Sequence, residues 1–199
     1  MAEVYWQALT RDVPFIEYGT TSLITQAAVD LTAFSMFTGP KDGDAVTPGT
    51  LFRGNTTGDL TGPYLSQFLW KDIPYGAQNI VQQYRVPIAR YDHLTLYTEW
   101  LNVQNGKSPT SVISFDSTLR YLRNGRDLGE YVHRDFTYQA FLNAALILLS
   151  FGGAAFDDNN PYKTSPTQSG FSSFGGPAIL DLVARVANAA LQAAWYQKW

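Results

Sequence analysis

The sequence DFTYQAFLNAALILLSFGG, residues 135–153, is the most apolar stretch of the chain and indicates how it folds. Apolar residues surround a helix drawn over residues 136–151 almost completely, which is typical of a helix at the centre of a bundle. Asp135 is placed to cap the start of this helix, and Gly152-Gly153 to end it. The run is shorter than the roughly 20 residues of a membrane span, and Asn143 interrupts it. It therefore predicts a buried core helix.

Apolar residues at helical spacing predict further helices on both sides of this central one. The predicted helices cover residues 3–9, 22–37, 55–70, 92–104, 115–123 and 177–199. Residues 39–53 and 157–176 are rich in Gly, Pro and polar residues and are predicted to be loops. Residues 78–87 could contain a short extended stretch, but no alternating run is long enough for a sheet. We therefore predict an all-α, bundle-like fold with residues 1–199 as a single helical domain.

Three of these helices carry end signals of their own. Thr21 or Ser22 can cap the second helix. Asp92 can cap the helix that closes at Asn105-Gly106, a pair suited to the left-handed conformation that ends many helices. Pro177 lies in the first turn of the last helix, where its missing N–H costs nothing.

The composition is poor in charge: 45% of the residues are hydrophobic, and 16% are charged, against roughly 25% charged residues in typical soluble domains. Much of the surface is therefore expected to be covered, either by a membrane or, as the short apolar runs favour, by other protein. No signal peptide is visible, because Glu3 and Arg11 stand among mixed residues at the start. The compartment stays open. Without cysteine the chain has no disulfide or thiolate site, and without a basic cluster it lacks a nucleic-acid footprint.

Few residues suggest chemistry on their own. His93 and His133, the two histidines, lie beside predicted helix starts, which favours capping or surface roles over catalysis. The glycine pairs match no phosphate-binding motif. The oxygens of residues 157–160, DDNN, are of the kind that calcium prefers, but their spacing is not that of an EF-hand, and a polar loop is the better interpretation.

Trp195 and Lys198 are three residues apart on the last predicted helix, so their side chains share one face. A lysine beside an indole can hold an anion. Taken alone, the pair is more simply an exposed lysine next to a core tryptophan.

Several spaced segments, in order along the chain, closely resemble vanadium-dependent haloperoxidases of the algal and cyanobacterial bromoperoxidase type. They are TLFRGN at 50–55, GPYLSQF at 62–68, IPYG at 73–76, NAA at 143–145, NPY at 160–162, the Gly and Phe positions of 170–177, and AAWYQKW at 193–199. The resemblance implies an α-helical bundle that binds vanadate through three motifs, of which this chain reaches only the first residue.

The resemblance also implies roles for three residues. Lys198 matches the lysine that binds a vanadate oxygen, and Trp195 matches a position in the wall of the halide pocket. Red-algal relatives hold a structural calcium near a loop like residues 157–168, to which Gln168 would contribute, although residues 162–166 contain no carboxylate.

By this resemblance the complete enzyme oxidises halide, bromide in particular, with hydrogen peroxide to a hypohalous species, while vanadium stays fully oxidised. We expect the chain alone to be inactive, because a missing C-terminal half or a second chain must supply the other vanadate-binding residues. Two alternatives stay open: a related acid phosphatase, since phosphate and vanadate share a tetrahedral shape, and a non-catalytic assembly subunit, since algal-type relatives form large homo-oligomers. In either case residues 170–199 are expected to pack against protein outside this sequence.

Overall fold

A computed structural model describes residues 1–199 and contains six α-helices and one β-hairpin. The helices are α1 (Ala2–Thr10), α2 (Ser22–Ala33), α3 (Tyr97–Gln104), α4 (Gly125–Arg134), α5 (Gln139–Leu149) and α6 (Gly176–Lys198). Strands β1 (Ile73–Tyr75) and β2 (Gln78–Ile80) pair antiparallel, and single 3-10 turns cover Phe15–Glu17, Gln67–Leu69 and Gly153–Ala155. The predicted helical fold class is confirmed, while the hairpin was not predicted. No helix combines the length and the apolar character needed to cross a membrane.

Contacts divide the chain into two compact units. Unit 1 consists of Met1–Leu65 and Gln83–His133, and unit 2 of Ser66–Gln82 and Arg134–Trp199. Unit 1 thus contains α1 to α4, and unit 2 contains the hairpin, α5 and α6. The expectation that residues 1–199 form one domain stays a prediction.

The core of unit 1 forms where α2 packs against α1 and the loop that follows it. Ile24, Ala27, Ala28 and Leu31 repeat at helical spacing on one face of α2, and all four are buried. Trp6 of α1 belongs to the same buried cluster. Burying a side chain the size of leucine contributes about 1.5–3 kcal/mol, so this apolar face holds the two helices together.

A cluster of ion pairs joins the end of α1 to the start of α4 within unit 1. Arg126, whose side chain is only 10% exposed, donates through Nη2 to Asp12 and to Asp92, both at 2.7 Å. Arg11 pairs with Asp92 at 2.5 Å. The hydrogen bonds from Arg126 lower the pKa of both carboxyl groups, and those from Asp12 raise the pKa of the guanidinium. The four groups are therefore ionised together over the physiological pH range.

A buried amide organises unit 2. Gln82 donates through Nε2 to the backbone carbonyl oxygens of Phe68 and Lys71, and its Oε1 accepts from Nδ2 of Asn143 at 3.5 Å. Gln82 is 2% exposed, so these partners replace water at a site that water does not reach. The contact fixes α5 against the segment that leads into the hairpin.

The predicted helix over residues 55–70 is wrong, apart from the single turn Gln67–Leu69. Gly62 adopts a left-handed φ of 80°, which interrupts a right-handed helix. Arg53 donates to the carbonyl oxygens of Asp59 and Gly62 at 2.9 and 2.8 Å. These carbonyls would be the acceptors of a helix, so the arginine stabilises a compact loop instead.

The predicted helix over residues 115–123 is also wrong. Tyr84 and Arg120 exchange two backbone hydrogen bonds at 2.7 and 2.9 Å, which makes this stretch extended. The helix of this region is α4, which the sequence analysis missed. Its start carries a recognisable signal, because Asn124 accepts a hydrogen bond from the backbone N–H of Asp127 at 3.0 Å, as an N-cap does.

Two helix ends differ from the prediction and one agrees with it. The second helix ends at Ala33 and not at residue 37, because Phe34 is already extended. Asp92 does not cap α3, since Arg11 and Arg126 engage its carboxylate. The predicted C-terminus at Asn105-Gly106 is confirmed, with Gly106 at a left-handed φ of 82°.

The central helix, α5, is shorter and less covered than predicted. Tyr138 and not Asp135 occupies its N-cap, and Gly152, with φ of 74°, follows its end as expected. Only one side of α5 is buried. Its buried residues are Asn143, Ala145 and Ile147, whereas Phe141 and Leu148 are exposed. Within residues 1–199 the helix is therefore not surrounded on all sides.

We expect Arg126→Leu to lower the free energy of unfolding by about 3 kcal/mol at neutral pH, because two carboxylates lose their cation in a poorly solvated place. Urea denaturation measures the change. Arg185→Leu is the matched control, since its pair with Asp181 lies between side chains 77% and 57% exposed. That variant should change stability by less than about 1 kcal/mol.

The same cluster predicts a pH dependence. The folded-state pKa of Asp12 is depressed, so its contribution to stability is complete above the unfolded value of about 4 and is lost as the pH falls through the folded-state pKa. The stability difference between wild type and Arg126→Leu should therefore shrink below about pH 4. An equal difference at pH 3 and pH 7 would contradict the assignment of this cluster as a stabilising element.

Candidate functional site

The candidate site lies at the end of α6, and a tight loop fixes where that helix starts. A Cβ atom on Gly175 would lie 2.2 Å from the backbone carbonyl of Gly170, so the two backbones approach more closely than any side chain allows. Phe174 between them adopts a left-handed φ of 55°. The predicted loop over residues 157–176 and the predicted helix that follows it, with Pro177 in its first turn, are both confirmed.

Asn160 ties the loop to the start of α6. Its Nδ2 donates to the carbonyl oxygen of Phe174 at 3.4 Å, while its Oδ1 accepts from the backbone N–H of Tyr162 at 2.9 Å. Two of the segments that carry the resemblance, 160–162 and 170–177, therefore meet here. Their role in this structure is to position α6.

Lys198 and Trp195 lie together on α6, as their spacing predicts. The Nζ atom of Lys198 lies 4.7 Å from the centre of the Trp195 ring, and the Trp195 and Trp199 rings are 6.4 Å apart. The ammonium group thus contacts an indole and not a carboxylate, a contact that contributes about 0.5–1 kcal/mol at an exposed place. Lys198 also occupies the last turn of α6, where the helix dipole favours a cation.

Trp195 is not a core residue within this chain, because 56% of its surface is exposed. Lys198 is exposed as well. The simpler interpretation of the pair, an exposed lysine beside a buried tryptophan, therefore fails for the indole. The structure leaves a cation and an aromatic ring uncovered side by side, an arrangement that suits an anion once other groups enclose it.

The loop proposed to hold calcium is organised by hydrogen bonds of its own. Lys163 donates to the Phe156 carbonyl at 2.5 Å and to Asp158 at 2.7 Å. Asp157 accepts from the backbone and side chain of Asn159, and the backbone bond lowers its pKa most. No three Asp, Glu, His or Cys side chains are grouped so that they could hold a metal ion. Gln168 is exposed, and its contribution to a calcium site stays a prediction.

The histidines and the buried acids belong to unit 1. His133 is exposed in the last turn of α4, and His93 is half-buried in a bend. The sequence analysis overlooked Asp127 and Glu130, which are buried on α4. Asp127 accepts from Arg123 at 3.0 Å, and Glu130 lies 3.9 Å from Arg85, so both acids have basic partners. The capping role of Asn124 was the signal that would have revealed this helix.

No protein-family model matches the chain. Curated proteins do match it along its whole length. A vanadium-dependent bromoperoxidase of Ascophyllum nodosum is 35% identical over 100% of the chain and 37% of its own length. Vanadium-dependent bromoperoxidases of Corallina pilulifera and Corallina officinalis are 33% and 32% identical, each over 100% of the chain and 40% of its own length.

A solved structure agrees with these matches. The homohexameric structure of the second vanadate-dependent bromoperoxidase from Ascophyllum nodosum superposes with a TM-score of 0.78 and 32% identity, over 87% of this chain and 30% of that one. The resemblance predicted from the sequence is confirmed, and the chain spans about two fifths of the length of the curated relatives it matches.

Because the loop that starts α6 depends on two glycines, we expect Gly175→Ala to destabilise unit 2 by about 2 kcal/mol through overpacking. Gly153→Ala is the matched control, since a Cβ atom there meets nothing within 4 Å. Hydrogen exchange of the first turn of α6, together with urea denaturation, measures the difference. Equal exchange rates in the two variants would show that the close approach does not hold the helix start.

Proposed function

Since the chain aligns along its whole length with part of the vanadium-dependent bromoperoxidases, we propose that it forms part of a vanadate-dependent bromoperoxidase. Such an enzyme oxidises bromide with hydrogen peroxide to a hypohalous species. The observation that carries the proposal is the match at 32–35% identity over 100% of the chain, extending to the end of α6.

In this proposal Lys198 holds one oxygen of vanadate. Its ammonium group is exposed, lies against an indole and has three N–H donors on a flexible stem. A charge-assisted hydrogen bond from such a group to an oxyanion is stronger than a neutral one. The fixed helix start at Gly175 and the length of α6 determine where the ammonium group stands.

Trp195 forms part of the wall of the halide pocket. Halide ions are weakly hydrated anions, and an indole beside a cation gives them an apolar wall with a charge nearby. The 4.7 Å contact between the Lys198 Nζ and the Trp195 ring means that one helix face delivers both groups. A shift of α6 would therefore move both together.

The residues present fit vanadate only in part. One ammonium group on an exposed helix end cannot balance a multiply charged oxyanion that must leave water, which costs several kcal/mol per charge. Bound vanadate supplies the Lewis acidity that polarises peroxide for attack by halide. The further cations must come from protein outside residues 1–199, and the chain by itself should be inactive.

Two further properties belong to the same proposal. The complete enzyme assembles as a large homo-oligomer, which the homohexameric relative supports. A structural calcium near the loop that contains Gln168 is a weaker part of the proposal, since Lys163 already neutralises Asp158 there.

We expect Lys198→Ala, in the complete native polypeptide, to weaken vanadate binding by about 10- to 100-fold, the value of one charge-assisted hydrogen bond. Titration calorimetry with orthovanadate measures the affinity, and bromide oxidation at saturating vanadate reports activity. Lys41→Ala is the matched control, because Lys41 is an exposed lysine of unit 1.

Three results would contradict the proposed function. The first is that the complete polypeptide oxidises no bromide in the presence of vanadate and hydrogen peroxide. The second is that it hydrolyses phosphate monoesters instead, which would favour an acid phosphatase. The third is that Lys198→Ala and Lys41→Ala bind vanadate equally well, which would remove Lys198 from the site.

A further inference from the structure

An apolar groove runs along α6 beside α5 and leads to the candidate site. We name it the α5–α6 groove; it has a volume of about 490 Å³, and its lining includes Phe141, Leu182, Val186, Ala190 and Ala194. Thr137 contributes the one polar side chain of the lining. Phe141, Leu182 and Val186 are 71%, 61% and 58% exposed, so large apolar side chains stand open to solvent. Such a surface is typical of a site that other protein covers.

The opposite side of α6 is polar, which shows that the apolar stripe is a specific face. Asp181, Arg185, Asn188 and Gln192 follow one another at intervals of three or four residues, and Asp181 pairs with Arg185 at 2.8 Å. From Val186 to Gln197 the helix carries no charged residue at all. A soluble helix with this pattern is stable only when its apolar stripe is packed.

The shape of the groove fits a helix. Leu182 and Ala194 are twelve residues apart, which corresponds to about 18 Å along the axis, or roughly three helical turns. Alanines at positions 187, 190 and 194 supply small side chains along the groove, so a second helix can approach closely. No helix of the chain is suited to span a membrane, and the polar stripe is not rich in lysine or arginine, as that of a membrane-surface helix is.

We infer that the α5–α6 groove is occupied by an apolar helix of the same polypeptide, from the part that lies outside residues 1–199. This inference rests on the proposed function, because the aligned region is only 37–40% of the curated relatives, which leaves about three fifths of such a polypeptide to place. The groove ends at Ala194, one residue before Trp195. A helix in the groove therefore brings its own end to the ammonium group that needs further partners.

The absence of cysteine from the chain makes the inference directly testable. Ala190→Cys places a small thiol inside the groove, and Gln192→Cys places one on the polar stripe. Both variants are made in the complete native polypeptide and treated with a polyethylene-glycol maleimide, and peptide mass spectrometry reads the modification at each position. We expect Cys at 190 to react at least about 100-fold more slowly than Cys at 192, since modification would require the helix to leave.

A photo-crosslinking residue identifies the occupant. With p-benzoylphenylalanine at position 186, irradiation should yield a product with the mass of one polypeptide, joined to a peptide from outside residues 1–199. Three results would overturn the inference: cross-links to residues 1–199 of a second copy, cross-links to a different protein, and equal thiol reactivity at positions 190 and 192. The last result would mean that the groove is a free surface.

Bromide oxidation by the parent polypeptide separates this inference from the proposed function. An occupied groove in a polypeptide that oxidises no bromide and binds no vanadate would leave the inference standing and remove the function. Bromide oxidation by a polypeptide whose Cys at 190 reacts as fast as Cys at 192 would do the reverse. A variant with Asn188→Cys repeats the control on the polar stripe, in case one exposed position is masked by a neighbour.

Discussion

The hydrophobic effect acting on α6 is the constraint on which the rest of this structure depends. Within residues 1–199 this 23-residue helix buries none of its residues, although apolar side chains line one of its faces. Each large side chain left in water forgoes about 1.5–3 kcal/mol, so the helix needs covering to be stable. The low charge content of the chain has the same cause. The candidate site lies at the end of this helix, and its completion and the covering of the helix are therefore one structural event.

The segments that resemble bromoperoxidases act mostly as anchors for this arrangement and not as chemistry. Arg53 of the first segment donates to Gly62 of the second, at 2.8 Å, and stacks over Tyr64. Asn143 of the central helix reaches Gln82, which holds the carbonyl of Phe68. Asn160 holds the carbonyl of Phe174 at the start of α6. In each case a side chain satisfies a backbone or amide group of another matching segment, so the matches are coupled by hydrogen bonds that irregular backbone cannot supply for itself.

The sequence predicted the elements whose signal is local and failed where distant partners decide. Helices α1, α2, α5 and α6 have apolar faces at helical spacing, and α3 ends at Gly106 as its sequence indicates. The stretch 55–70 has a capping residue and an apolar stripe, yet Arg53 captures the carbonyls that a helix would use. Residues 115–123 become extended because Tyr84, far away in sequence, pairs with Arg120. Asp92 has the chemistry of a cap, but Arg126 binds it more strongly.

The candidate site was predictable to the same extent and for the same reason. The spacing of Trp195 and Lys198 placed them on one face, and the structure brings the ammonium group to 4.7 Å from the indole. What local spacing cannot determine is the environment of that pair, because an oxyanion site needs several cations that converge from separate elements. A single lysine on a solvated helix end interacts with its anion across water, where the attraction between unit charges at 4 Å is only about 1 kcal/mol. The same lysine becomes a specific ligand when a second helix excludes water from the groove beside it. The covering of α6 thus determines both the stability of the helix and the strength with which its last cation can bind.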